Sequence, residues 1–335
     1  MKTNLTFRFA IIIAIVCAGA FFACKKSSSS SNSTTTDSNN LSAQADDQTR
    51  VSNEDENASN DAEAALNSSA SFSGESIKSV LHSGSTTVLG DKVDSSGSND
   101  TLICDASVVY DTTVSPKTIT ITYNGTNCWG NRTRTGTVVI SLPVSEHWRD
   151  VGASVTINIQ NLKIKRIGDN TSIILNGTKT ITNVSGGAWV ELANQMTITH
   201  TVSDSLSITY PNGSQGLWNV AKQRVFTYND GVVVTTTGTH TDAQSNTDVA
   251  EWGINRFGTS IESLISVPKV IRQDCDFRLV SGQNMILRSD SLNSTITYGL
   301  DAQGNATTCP GTGSYYMEIV WSGPNGRTYP IILQY

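Results

Sequence analysis

Val155-Thr156-Ile157-Asn158-Ile159-Gln160-Asn161-Leu162-Lys163-Ile164-Lys165 alternates apolar and polar residues, with one slip of phase at Gln160-Asn161. Alternation with period two puts every apolar side chain on one face of a strand. A slip inside such a run predicts a β-bulge, where an extra residue is taken up without ending the strand. Further out, Thr118-Ile119-Thr120-Ile121-Thr122-Tyr123 alternates in the same way. Turn chemistry punctuates the chain at Asn124-Gly125, Asn176-Gly177, Asn212-Gly213, Asp230-Gly231 and Asn325-Gly326. Asn-Gly and Asp-Gly supply the positive φ angles of tight hairpins. The clearest hairpin joins Trp218–Tyr228 to Val232–His240 across Asn229-Asp230-Gly231. The fold expected over residues 79–335 is all-β, a large antiparallel β-sheet meander built as a sandwich or an open twisted sheet. It should hold roughly 12–16 strands, enough for one large or two smaller cores.

The N-terminus reads as an address. Lys2 and Arg8 precede an apolar run from Phe9 to Phe22, shorter than the roughly 20 residues a spanning helix needs. Phe21-Phe22-Ala23-Cys24 resembles a lipobox, with the small Ala23 at the cleavage position and Cys24 as the residue to be acylated. The expected order is a lipoprotein signal peptide over 1–23 and a flexible Ser/Thr/Asn linker from Cys24 to residue 45. Ser27 to Asn40 has no apolar residue with which to bury a core. A weak acidic helix follows over 46–68, with Val51, Ala58, Ala62 and Ala65 on one stripe. A stripe made mostly of alanine should bury little area on docking.

Apart from the acylated Cys24, four cysteines remain once the leader is removed, and they occupy two similar settings. Cys104-Asp105, the Thr118–Tyr123 strand and Cys128 are echoed by Cys275-Asp276, Ser294-Thr295-Ile296-Thr297-Tyr298 and Cys309. This echo suggests two related β halves. An exported chain with an even cysteine count is read as disulfide-bonded. The expected pairs are Cys104–Cys128 and Cys275–Cys309, each stabilising by roughly 3–4 kcal/mol in the chain-entropy picture. A zinc site would need CxxC or histidine at ligand spacing, which these cysteines lack, so no metal or other cofactor is expected.

Little in the chain points to catalysis. His82, His147, His200 and His240 are the four histidines, and none lies in HExxH; GxSxG and GxxxxGK[ST] are absent too. The chain carries a net charge of −6, which becomes more negative when Lys2 and Arg8 leave with the leader. With no basic stripe, nucleic acid is not an expected partner. The densest polar cluster is Glu146-His147-Trp148-Arg149-Asp150 between two strands. It reads either as a ligand loop presenting an aromatic or as a solvated connection in which Trp148 caps the core. The tryptophans as a group read either as sugar platforms or as core, and Trp218 and Trp321 lie in strand patterns that fit burial.

Several stretches together are similar to a family of uncharacterised Bacteroidota outer-membrane lipoproteins. They are Ala23-Cys24-Lys25-Lys26-Ser27, Asp46 to Glu54, Asn127 to Gly136, Asn176 to Thr180, and Arg272-Gln273-Asp274-Cys275. The resemblance implies an envelope location and brings no activity with it. Lys25 after the cysteine resembles the outer-membrane sorting signal of Gram-negative lipoproteins, with the surface and periplasmic leaflets both open. Asp204-Ser205-Leu206 and Asp290-Ser291-Leu292 resemble the Asp-Ser/Thr-apolar acceptor pattern of O-glycosylation in Bacteroidota. The expected function is a non-catalytic cell-envelope lipoprotein, a structural or ligand-binding β domain held to the membrane by its lipid anchor. A lipid or glycolipid carrier with an open β groove is the alternative, and a secreted glycan hydrolase the third reading. A glycan, a lipid or an envelope protein would be the partner.

Overall fold

The computed structural model describes residues 31–74, 103–127, 130–194, 196–275, 278–309, 315–322 and 328–335. The leader, Cys24, Cys128, Trp129 and Asn325-Gly326 lie outside these residues. Two compact units are present, Met1–Asp47 and Gln48–Tyr335. The described part of the first is helical. Everything below concerns the second.

Helix α1 (Ser31–Ser68) is followed by a short α2 (Ala70–Ser73) and then by strands alone, apart from two 3-10 turns, Trp189–Asn194 and Gln273–Cys275. The strands are β1 (Ala106–Asp111), β2 (Lys117–Thr126), β3 (Arg132–Leu142), β4 (Ala153–Arg166), β5 (Ser172–Asn183), β6 (Ile198–Thr209) and β7 (Gln215–Tyr228). They continue as β8 (Val232–Gly238), β9 (Val249–Ile254), β10 (Ser260–Arg272), β11 (Arg278–Arg288), β12 (Asn293–Leu300), β13 (Tyr316–Ser322) and β14 (Thr328–Gln334). All belong to one 14-stranded sheet, a meander in chain order except that β8 and β9 both pair with β7 and β10. Every pairing is antiparallel. The strands of both cysteine settings lie in one continuous sheet.

The bulge falls where the phase slips. The β4–β5 register passes from Ile159↔Gly177 to Leu162↔Leu175, and Asn161 takes a positive φ of 50°. The hairpin from β7 to β8 closes at Tyr228↔Val232, with Asp230 at φ 54° and Gly231 at φ 147°. Gly213, at φ 80°, likewise turns the chain between β6 and β7. Two expected turns are not turns: Asn124-Gly125 lies within β2 and Asn176-Gly177 within β5. At Gly177 the glycine serves close approach, since a Cβ there would meet Ser205 O and lie 3.0 Å from Leu206 Cα on β6.

The helix departs most from expectation. It begins at Ser31, well inside the stretch expected to be a flexible linker. Extending an existing helix costs far less than nucleating one, so a polar segment can continue the turns of the docked part. From Gln48 to Asn67 almost every residue is buried, polar ones included. Val51, Ala58, Ala62, Ala65 and Leu66 join Ile119, Ile121, Val138, Ile140, Ile157, Ile181 and Trp218 in the main core. The alanines carry little area, but they let the backbone come close to the sheet. The faces that look solvated in sequence are buried because the strands bring partners to them.

The end of the helix is also fixed by local chemistry. Asn67 Nδ2 donates to Glu63 O and Ser68 Oγ to Ala65 O, satisfying carbonyls of the last turns. After Ser69, α2 closes on Gly74 at φ 81°, whose N–H donates to Ala70 O. Lys117 Nζ donates to Ser71 O at 2.6 Å and lies over the Phe72 ring, holding α2 against the sheet.

Candidate functional site

The chemistry of the described residues is concentrated in a girdle of buried charges between α1 and the strands. Inward positions of a strand normally carry apolar side chains. Here β5 places Lys179 in phase with Ile173, Leu175 and Ile181, and β7 places Lys222 and Arg224 in phase with Trp218, Val220 and Phe226. Arg134 on β3, His200 and Asp204 on β6, and Glu251 on β9 face inward in the same way.

Each charge meets the helix. Lys179 Nζ lies 2.6 Å from Asp55 Oδ1, 3.0 Å from Asp204 Oδ2 and 2.6 Å from Ser59 Oγ. Arg224 reaches Glu56 and Glu63, both at 3.1 Å, and donates to Asn60 Oδ1 at 2.6 Å. Lys222 Nζ contacts Glu251 Oε1 at 2.7 Å, and Ser52 Oγ donates to the same oxygen at 2.6 Å. His200 Nδ1 lies 2.9 Å from Glu63 Oε1, its ring flanked by Trp148 and Phe226. A second focus joins Arg134 to Asp61 and Asp105, with the Tyr123 hydroxyl donating to Asp61 Oδ2 at 2.8 Å. Arg50 caps the far end of β4 and β5, donating to Ile164 O, Thr171 O and Thr171 Oγ1, each at 2.9 Å.

The electrostatics follow from burial acting against pairing. Burial pulls the Lys222 ammonium down, but Glu251 and Glu56 outweigh it and hold the group above its ordinary value. Burial pushes Glu56 up, yet Arg224, Lys222 and their neighbours bring it to about 2. For Tyr123 burial comes first and the Asp61 carboxylate second, and both drive the phenol well above its usual range. A buried charge with its partner removed is strongly destabilising, whereas an intact pair adds specificity more than net stability. The girdle thus ties α1 to β3, β5, β6 and β7 through partners that are costly to remove singly.

The loop singled out in sequence lies beside α2. Trp148 N donates to Phe72 O at 2.7 Å and Arg149 N to Ser73 O at 3.3 Å, and the Trp148 side chain is buried in the main core. Arg149 pairs with Glu191 at 2.9 Å, while His147 and Asp150 are exposed and meet across the turn, His147 N donating to Asp150 Oδ2. Glu146 is half-buried. The five residues of the loop do not converge on one point: Trp148 faces the core and the others face the rim. Trp218 and Trp321 are buried, as their strand patterns imply.

Cys275 and Cys309 form a disulfide with Cα atoms 5.4 Å apart, tying the turn after β10 to the loop after β12. Cys104 is also disulfide-bonded, and its expected partner Cys128 lies outside the described residues. Asp274 lies close enough to both sulfurs of the second bridge to suggest a metal triad. With those sulfurs joined to each other, neither is a free thiolate ligand. Among the described residues no helix is long and apolar enough to cross a membrane.

Sequence reading missed the girdle, although its signal was present. Lys179, Lys222, Arg224 and Arg134 sit at even spacing with apolar neighbours of the same face. A charge in phase with the buried face of a strand marks an interior partner.

The fold and girdle define a class, a single antiparallel sheet packed on an acidic helix through buried ion pairs. Compared with family models, curated proteins and solved structures, the chain matches none of them.

Proposed function

We propose that this chain is a non-catalytic lipoprotein of the bacterial cell envelope, held to the outer membrane through Cys24, with the β sheet as a water-facing structural or ligand-binding domain. The observation that carries this reading is the helix lying inside the sheet. The helical segment from Gln48 to Ser68 does not lie on the domain surface. It enters the core and is held there by Lys179, Lys222, Arg224 and Arg134.

The outward positions of the strands support a domain standing in water. On β4 they are Thr156, Asn158 and Gln160, and on β6 Ser203, Ser205 and Ser207, all exposed. A lipid-facing barrel wall would carry apolar residues at those positions. A lipid or glycolipid carrier needs an open inner groove, and here residues of the 48–68 segment pack on the inner face of β2 to β7. Carriage would require the helix to leave.

The test is metabolic labelling with a palmitate analogue, followed by membrane fractionation, on wild type and Cys24→Ser. The reading predicts label and membrane retention in wild type and loss of both in the variant. An unlabelled, freely soluble wild-type protein would overturn it.

A further inference from the structure

We propose that α1 is held in the sheet with one resident proton on Asp204 of β6, which meets Lys179 beside Asp55 of the helix, so that helix docking is a pH-dependent latch. The geometry comes first. Lys179 Nζ has four oxygens around it, Asp55 Oδ1 at 2.6 Å, Ser59 Oγ at 2.6 Å, Asp204 Oδ2 at 3.0 Å and Asp55 O at 3.1 Å. An ammonium has three N–H groups to offer. Two buried carboxylates therefore converge on one cation that cannot serve both fully, and a proton on Asp204 removes the like charge.

The charge balance of the surroundings agrees. From α1 the cluster is faced by Asp55, Glu56 and Glu63, from β6 by Asp204 and from β9 by Glu251. Against these acids stand Lys179 of β5, Lys222 and Arg224 of β7, and Lys269 of β10. At Lys179 itself two acids, Asp55 and Asp204, meet one cation. Tyr298 of β12 faces Glu251 and Lys222 and adds no cation. His200 of β6 meets Glu63 through Nδ1.

Burial, and then the charge of Asp55, push the Asp204 carboxyl well above its ordinary value. The folded state thus binds a proton that the unfolded chain releases near 3.8. Stability conferred by this site is full below that point and is lost as pH rises toward the folded value, by at most about tenfold in the unfolding equilibrium per pH unit. Asp204→Asn mimics the protonated state and should remove that slope.

The experiment uses the full-length protein in detergent, labelled with 13C-carboxyl aspartate. An infrared difference spectrum near neutral pH should show an isotope-shifted carboxylic-acid C=O band from a buried aspartic acid, absent in Asp204→Asn. Urea midpoints measured from mildly acidic to mildly alkaline pH should fall with pH in wild type and stay flatter in the variant. Absence of the band in wild type, or parallel pH profiles for the two proteins, would overturn the proposal. Because the band is read on wild type, the test holds even if the variant does not fold.

Discussion

Arg134 on β3 grips Asp105 with two prongs, Nε to Oδ2 and Nη2 to Oδ1, both at 2.6 Å, while its Nη1 holds Asp61 of the helix at 2.7 Å. One guanidinium thus joins the helix, the turn before the first strand and the third strand. Its planar fork is suited to this, and an ammonium could not reproduce it. Arg134→Ala leaves two buried carboxylates without their cation and should cost about 3–5 kcal/mol. Urea denaturation measures it, and a loss below about 1 kcal/mol, the range of a surface pair, would contradict this account.

Gly177 and Gly213 both have positive φ, but only Gly177 faces a neighbouring strand at close range. Alanine at Gly213 meets nothing within 4 Å and bears only the backbone penalty, about 1 kcal/mol. Alanine at Gly177 must also displace Ser205 and Leu206, which raises the cost to about 2–4 kcal/mol. Thermal unfolding of the two variants should rank them in that order. Equal losses would mean that the β5–β6 approach is looser than described.

The Cys275–Cys309 bridge closes a loop with a sequence separation of 34. Replacing both cysteines with serine should destabilise the protein by about 3–4 kcal/mol by freeing the unfolded chain. Peptide mapping without reduction checks the pairing, and denaturation of the variant checks its worth. Recovery of Cys275 linked to Cys104 would contradict the topology of this end of the sheet.

On the acid side the helix lock should weaken in a defined window. Glu56 is depressed from 4.5 to about 2 because Arg224 and Lys222 outweigh its burial. A depressed carboxylate stabilises fully above its unfolded value, and that stability is lost as pH falls through the folded one. The loss from this group therefore runs from about pH 4.5 down to about pH 2. Glu56→Gln should be less stable than wild type near neutrality and show a shallower acid slope. A variant whose acid limb matched wild type would remove Glu56 from the lock.

Strand content was legible because alternation is a local signal: the slip at Gln160-Asn161 and the turn at Asp230-Gly231 can be read without knowing their neighbours. Gly177 misleads because a glycine required for close approach between strands looks the same in sequence as a glycine required for a turn. The helix was harder still. Asp55, Glu56, Asp61 and Glu63 look solvated when read along their own segment. The cations that bury them come from Arg134, Lys179, Lys222 and Arg224, scattered over three distant strands. Long-range pairing of that kind leaves only a faint trace, a charge in phase with apolar residues. The low apolar content of the helix, alone, points toward fraying.

Hydrogen–deuterium exchange of the amides from Gln48 to Ser68 tests most directly whether this acidic helix is integral to the domain. A helix locked inside the sheet opens only when the sheet does, so its amides should exchange as slowly as those of β5 and β7. Exchange of that segment ahead of the strands, at the rate of an isolated polar helix, would contradict the account.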